Sequence, residues 1–384
     1  MLVDSSQCCG CGSCAAVCPQ QCIQMIPDNE GFRYPKINTS KCVNCYHCER
    51  VCPLFQKLQN VSECDETLAY AVKNKDDSVR MKSSSGGIFF ALAMEMIWRG
   101  GLVCAAVYDD DFSVVHILAE TLEDTVRQQG AKYPQSCAEQ CYAQIRTALR
   151  GETPVLFVGT PCQTAALRAY LGRDDENLLL VDMICHGVVS PKVWARYLEE
   201  RQRMDAGKAS IVSVNLRSKA TGWSRYQYSV SIGYANGDVY QVRQGEDPLM
   251  QGFTQNLYLR PSCSQCPFKG TNRFADLTLG DYWGIWDQHP EFDDGWGTSL
   301  LLVHTKKGQM AWNTVASQFS FLKTTYHEAI SGNPSATVSS NPHRVREIFF
   351  ANLDRKKSVI QWINQCLGRE TPGLIQRIRN RLGV

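Results

Sequence analysis

Six cysteines crowd into the fifteen residues CCGCGSCAAVCPQQC, from Cys8 to Cys22, and four of them fall into a frame: Cys8, Cys11, Cys14 and Cys18, ahead of Pro19. The frame recurs in CVNCYHCERVCP, where Cys42, Cys45, Cys48 and Cys52 precede Pro53. C-x2-C-x2-C-x3-C-P is the spacing that holds 4Fe-4S cubanes. Three closely spaced thiolates wrap three corners of a cluster from one loop, and the fourth cysteine crosses to the cluster of the other copy. Cys8, Cys11, Cys14 and Cys52 are thus assigned to one cluster, and Cys42, Cys45, Cys48 and Cys18 to the other. Cys9 and Cys22 fall outside the frame and are read as spare thiols. A structural zinc site also uses C-x2-C pairs, but two pairs set well apart, not three cysteines in tight succession closed by C-P.

Between the two copies, CIQMIPDNEGFRYPKI alternates about a PDNEG turn, which predicts a hairpin joining the cluster loops. Residues 1–60 therefore resemble a two-cluster bacterial-type ferredoxin domain. His47, inside the second loop, either tunes that cluster by a hydrogen bond or faces solvent.

Four further cysteines sit in unusual places. Cys162 follows a predicted strand in GTPCQ, Cys185 ends one in MICHG, and Cys263 and Cys266 lie in RPSCSQCPFKG. Strand ends on one edge of a sheet commonly meet at one site. Four such thiols are enough for a third 4Fe-4S cluster. Their spacing leaves two other readings open, buried apolar thiols at Cys162 and Cys185 or half of a zinc ribbon.

The elements that must position these groups are read from periodicity. After a polar stretch QKLQNVSECDET, taken as a linker, LAYAVK reads as a strand and SSSGGIFFALAMEMIWRG as a polar turn entering an apolar helix. LVCAAVYDD and FSVVHILAE read as strands, and PVLFVGTPCQTAALRAYLG and LLLVDMICHGVVSPKVWARYLEERQ each as strand, turn and helix. From about Ile211 the pattern turns to strands, with an Asn236-Gly237 hairpin signal. The fold class expected is α+β: a ferredoxin-like dicluster domain followed by a larger mixed-sheet α/β body. The 384 residues suffice for two or three domains, with 44% hydrophobic and 20% charged residues as in ordinary globular proteins. A formal net charge of +2 gives no reason to expect a nucleic-acid partner. No apolar run is long enough for a transmembrane segment, and MLVDSSQCC does not read as a secretory signal. Nineteen cysteines without an export signal point to metal binding rather than disulfides, and to a cytoplasmic location.

The series SSSGG, QGAKYPQS, FVGTPCQTAALRAYL, VDMICHGVVSP, LRSKATGW and RPSCSQCPFKGTNRFADLTLGDYWG, over about residues 66–330, resembles the family of coenzyme F420 hydrogenase/dehydrogenase beta subunits. That family binds FAD and a 4Fe-4S cluster and moves electrons between them. The resemblance implies that Cys162, Cys185, Cys263 and Cys266 ligate the third cluster. It also implies a flavin cradle: Ser83, Ser84, Ser85, Gly86 and Gly87 ahead of a helix for the pyrophosphate, Lys132, Tyr133 and Ser136 from QGAKYPQS, and Gly159 and Thr160 beside Cys162. Without the resemblance, SSSGG is equally a helix cap and turn. His186, next to Cys185, is a candidate proton donor, and Lys132 a candidate stabiliser of reduced flavin. Asp281 and Trp283 of GDYWG are expected on the pocket wall. No G-x-G-x-x-G fingerprint is present, so a Rossmann-type dinucleotide site is not expected.

The organisation expected is a ferredoxin domain at 1–60, a flavin-binding region at 66–150, a region with the third cluster at 151–330, and a helical, basic tail at 331–384. Family and residues together imply an oxidoreductase converting between hydride and single-electron transfer. Its partners would be a redox protein, either a ferredoxin or another enzyme subunit, and a small-molecule substrate or deazaflavin coenzyme. Two rivals are a non-catalytic electron-relay subunit, which needs no substrate pocket, and an iron–sulfur redox sensor, which needs no flavin.

Overall fold

In the computed structural model, residues 3–56 and 67–369 are described, apart from 208, 225, 271 and 272. The linker stretch and the last part of the basic tail, from 370 onward, lie outside the described residues. In the N-terminal domain β1 (Ile23–Pro27) pairs antiparallel with β2 (Arg33–Ile37). Asp28 closes the turn: its carboxylate accepts from the amides of Glu30 and Phe32, both at 2.9 Å. The predicted hairpin is there, with the two cysteine loops on either side of it.

The body is built on an eight-stranded sheet. Its strands are β3 (Leu68–Asn74), β4 (Leu102–Tyr108), β5 (Val114–Ala119), β6 (Val155–Gly159) and β7 (Leu178–Met183). Three more strands, β8 (Ile211–Ser218), β9 (Ser229–Tyr234) and β10 (Val239–Arg243), form a separate antiparallel sheet. The chain then returns to the large sheet with β11 (Leu277–Asp281), β12 (Ser299–Val303) and β13 (Phe319–Thr324). The order is β13-β3-β12-β11-β7-β6-β4-β5, with β11, β7, β6 and β4 parallel to their neighbours in that run and the remaining pairs antiparallel. β6 (VLFVG) and β12 (SLLLV) are buried at every position, as central strands covered on both faces must be. Strands from both sides of residue 150 thus share one sheet.

One face packs on the helices Ile88–Trp98 and Lys306–Val315 through Ile88, Leu92, Met96, Trp312 and Val315. The other packs on Glu139–Arg150 and Pro161–Leu171 through Tyr142, Ile145, Leu167 and Tyr170. A further core joins the small sheet to the helix Pro191–Asp205 and to Arg346–Leu353 and Val359–Cys366. The start of the expected tail is therefore packed core, with Phe349 and Ile363 wholly buried.

The dicluster domain docks tightly on this body. Gly10, Gly12 and Gly31 all hold positive φ, and a Cβ on each would strike the body: Arg260 Nη1 at 2.7 Å, Glu139 Cβ at 2.5 Å and Lys192 Cβ at 2.5 Å. Ion pairs reinforce the contact. Arg33 meets Glu139 at 2.6 Å, and Arg346 donates to both carboxylate oxygens of Glu30, to Oε1 at 3.0 Å. Among the described residues, no helix is long and apolar enough to cross a membrane.

Candidate functional site

The C-terminal ends of β6, β7 and β11 open on one edge of the sheet, the place where α/β sheets gather ligands. From β6 the chain runs through Gly159 and Thr160 into the helix Pro161–Leu171, carrying Cys162 at its first turn. Thr160 closes that helix start. Its amide and hydroxyl both reach Gln163 Oε1 at 3.0 Å, and Gln163 Nε2 donates to Ser136 Oγ at 2.9 Å. From β7 the chain passes through Ile184 to Cys185, His186 and Gly187. Val189 then bridges Pro134 on one side and Leu259 on the other, so the loops at 133–136, 185–189 and 257–260 run side by side.

These loops surround a cavity of about 640 Å³, within the range of small-molecule and cofactor sites. All four body cysteines lie on its wall, as do Cys9 and Cys11 of the dicluster domain, Ser83, Ser84, Ser85, Gly87, Lys132, Tyr133, Ser136, Gly159, Thr160, His186, Asp281 and Trp283. Gly86 is not on the wall. Its amide donates to Ser299 Oγ at 2.8 Å, and a Cβ there would stand 2.2 Å from the Val72 carbonyl. Gly86 therefore seats the serine loop on β3 and β12, and its own N–H is taken.

The donor sets fit iron–sulfur clusters. Burial, and then the neighbouring Cys11, Cys8 and Cys52, push the Cys14 thiol up, so those three lie near Cys14 in the dicluster domain. In the body, burial pushes Cys263 up to about 12, and Cys162 and Cys266 add to it; Cys185 feels Cys263, Cys162 and Cys266 in the same sense. A nest of buried, mutually repelling thiols needs positive charge to ionise, and an iron core supplies it. Among the described residues, no three His, Cys, Asp or Glu side chains converge as ligands of a single metal ion. Lys269, donating to Ser335 O at 2.7 Å and to the Cys185 carbonyl, brings a cation to the same nest. Gly187 lets the Cys185 loop approach the Cys263 loop closely, since a Cβ there would meet Leu259 at 2.9 Å and Cys263 Sγ at 3.5 Å.

In the second cysteine loop Cys42, Cys45 and Cys48 are half-buried and flanked by exposed Val43 and Tyr46. His47 is exposed. Cys22 Sγ lies 3.4 Å from Cys18 Sγ, so the thiol read as spare packs on the last cysteine of the first frame.

The chemistry of the remaining wall fits a flavin nucleotide. His116 Nδ1, Gln128 Oε1 and Arg217 Nε are buried with no partner among the described residues, and all three residues line the cavity. Such atoms are costly to leave unsatisfied and suit a polar ligand. Gly87, with φ of 92°, turns the serine loop into the helix Ile88–Trp98, whose free amides face an anion favourably. Ser83 and Ser85 spend their hydroxyls on Val79 O and Thr298 O, while Lys219 and Trp223 hold the Ser85 and Ser84 carbonyls. The loop is thus preorganised by its neighbours.

Lys132 donates to the carbonyls of Gln128, Gln129 and Gly130 and makes no ion pair among the described residues; burial holds its ammonium down to about 7. The Tyr133 ring lies 4.5 Å from that of Phe253, tilted by 30°. Asp281 pairs with Arg217 at 2.9 Å. His186 has both nitrogens engaged. Asn256 donates its amide to Asn341 O, so its Oδ1 accepts from His186 Nε2 at 2.6 Å, and Ser335 Oγ meets Nδ1 at 3.1 Å. Burial lowers the imidazole's pKa. These bonds make it a brace for the Cys185 loop.

Residues that sequence reasoning gave no part are prominent here. Cys9, read as spare, lies beside both Cys11 and Cys162: its own thiol is pushed up by those neighbours and by burial, while Cys11 and Cys162 are held below their ordinary value. Arg217, Lys219, His116 and Lys269 also reach the site from positions that no local spacing marks.

Two stretches of the chain match known protein families. Residues 153–325 match the family described as the C terminus of the coenzyme F420 hydrogenase/dehydrogenase beta subunit, and residues 7–55 match the 4Fe-4S dicluster domain. A subunit of the F(420)H(2) dehydrogenase of Methanosarcina mazei is 22% identical over 337 residues, which cover 84% of this chain and 86% of that protein. Among solved structures, the xenon-derivatised F420-reducing [NiFe] hydrogenase complex of Methanosarcina barkeri contains a chain that aligns with a TM-score of 0.45 at 18% identity, covering 83% of this chain and 96% of that one.

Proposed function

We propose that this chain, whose residues 7–55 match a 4Fe-4S dicluster domain and whose residues 153–325 match the C terminus of the coenzyme F420 hydrogenase/dehydrogenase beta subunit, is an iron–sulfur, flavin-containing oxidoreductase. In this reading it connects an organic two-electron donor or acceptor to a one-electron protein partner. The substrate is coenzyme F420 or another small molecule able to exchange a hydride. When bound, a flavin supplies that exchange and releases or collects the electrons singly.

The observation that carries the reading is the shared wall: one cavity touches Cys11 of the dicluster domain, all four body cysteines, and the Ser83–Ser85, Lys132–Ser136 and Gly159–Thr160 loops. The residues then take distinct parts. Cys162, Cys185, Cys263 and Cys266 grip a third cubane, with Lys269 as a cation beside it. Ser83 to Ser85 and Gly87 hold the pyrophosphate; Lys132 balances its charge or that of the reduced ring. His186 positions the Cys185 loop. The Cys42–Cys48 loop, with Val43 and Tyr46 exposed, faces the protein partner.

Anaerobic purification with iron, sulfide and flavin quantified tests this. About twelve iron atoms per chain and one flavin support it. About eight would remove the body cluster, and a flavin-free protein would remove the hydride half. The name of the M. mazei relative, which is one subunit of a dehydrogenase, favours a second reading, an electron relay within a larger complex. Flavin-loaded chain that reduces no organic acceptor yet discharges to a partner enzyme would select it.

A further inference from the structure

Arg260 is a buried charge without an opposite number. It is 1% exposed, and among the described residues no carboxylate lies within ion-pair distance of it. Its fork is spent on neutral oxygens: Nε donates to Cys8 O at 2.8 Å, Nη1 to Gln135 Oε1 at 2.7 Å and Nη2 to Arg33 O at 3.1 Å. The guanidinium also lies 4.2 Å from the Tyr34 ring centroid. Its own amide donates to Val188 O, and its carbonyl accepts from Cys263 N at 3.0 Å. The side chain thus spans from the body's cysteine loop into the dicluster domain, on the cavity wall that Cys9, Cys11, Cys162 and Cys263 share.

Burying an unpaired cation is expensive unless negative charge stands nearby. A lysine in such a place escapes by losing its proton, whereas a guanidinium does not. The negative charge within reach is that of the two thiolate sets. We propose that Arg260 is the common counter-charge of the two clusters held by Cys8, Cys11, Cys14, Cys52 and by Cys162, Cys185, Cys263, Cys266, raising both reduction potentials together. This rests on the reading that each set holds a cubane.

A cluster gains one negative charge on reduction, so a fixed cation stabilises the reduced form more and raises the potential. The transfer it serves is balanced: one cluster is oxidised by one electron as the other is reduced by one, and no proton or atom moves. Since Arg260 faces both, the charge leaving one side of the guanidinium arrives on the other. Its surroundings carry the same total charge before and after.

The test is a redox titration, followed by electron paramagnetic resonance, on anaerobically purified full-length chain with iron counted. Cys263→Ala and Cys45→Ala assign the body and outer signals. Arg260→Gln should move the body potential and that of the Cys8 cluster downward together and leave the Cys42 cluster in place, while Arg260→Lys should hold both near their original values. Gln135→Glu carries the test should the first variant fail to fold. It keeps Arg260 and its bonds to Cys8 and Arg33 but sets a carboxylate against Nη1, and should produce the same paired downward shift. A shift in one potential alone, an equal shift in all three, or none would overturn the proposal. Wild-type protein with about eight irons and no body signal would instead remove the premise, an outcome separate from the others because no variant is involved.

Discussion

Cys9 shows how a single side chain changes meaning once its neighbours are known. In the sequence it is a thiol outside a regular frame; in the molecule it lies beside Cys11 of the N-terminal domain and Cys162 of the body. The frame cysteines were legible because each spacing is local. Cys9 and Arg260 were not, because what defines them is contributed by residues far away in the chain. Two predictions belong here. Cys263→Ala should lower the iron content from about twelve to about eight per chain and abolish one paramagnetic signal, with the dicluster signals kept. Lys132, held near 7 by burial, is cationic below that pH and neutral above it. Flavin affinity should therefore weaken as pH rises through about 7, and Lys132→Met should flatten that dependence in a fluorescence titration. Between the folded value and the ordinary lysine value the unfolded chain binds more protons. Flavin-free protein should accordingly gain stability as pH rises above about 7.

At the scale of elements, the serine–glycine loop is held by pieces that meet only through the sheet. β3 lies between β13 and β12, and this brings Val72 and Ser299 under Gly86. Period-two patterning revealed the strands one at a time, but their order depends on crossovers that no local pattern encodes. The return of β11, β12 and β13 to the large sheet after a separate three-stranded one was illegible for the same reason. Gly86→Ala must push a methyl group against a backbone carbonyl, and should cost on the order of 2 kcal/mol in stability with loss of flavin, read by thermal melting and flavin content.

The same loop is tied at its other end. Arg80 in the helix Asp77–Lys82 donates to Asp294 Oδ2 at 2.7 Å and to Gly297 O at 3.0 Å, and Lys73 reaches Asp294 at 3.1 Å. Burial raises the Asp294 carboxyl, but the bonds from Arg80 and Lys73 outweigh it and hold the group well below the usual carboxylate range. A depressed carboxylate stabilises the fold above its unfolded value and loses that contribution as pH falls toward its folded one. Asp294→Asn should therefore melt below wild type at neutral pH, with the gap closing under acid.

Across the whole molecule, the body site depends on residues scattered from Cys9 to Lys269. The sheet order β11-β7-β6 supplies the meeting place for Cys162, Cys185 and the Cys263 loop. The strand-end contexts of Cys162 and Cys185 hinted at it, and the family resemblance added Cys263 and Cys266. The docking of the two domains was not legible at all, since its ion pairs join Glu30 to Arg346 and Arg33 to Glu139. Glu30→Ala leaves the buried Arg346 without its carboxylate and should cost roughly 2 kcal/mol. Electron passage from dicluster to body should slow while the iron count stays unchanged, which flash reduction of the outer cluster would reveal.

The three close-approach glycines at 10, 12 and 31 carry a consequence for kinetics. With their backbones pressed against Arg260, Glu139 and Lys192, the ferredoxin part has no slack in which to swing as a tethered shuttle. The hop into the body is a jump across a fixed gap. Thickening the solvent with sucrose should leave that internal step untouched and retard only the arrival of whatever protein loads the far end.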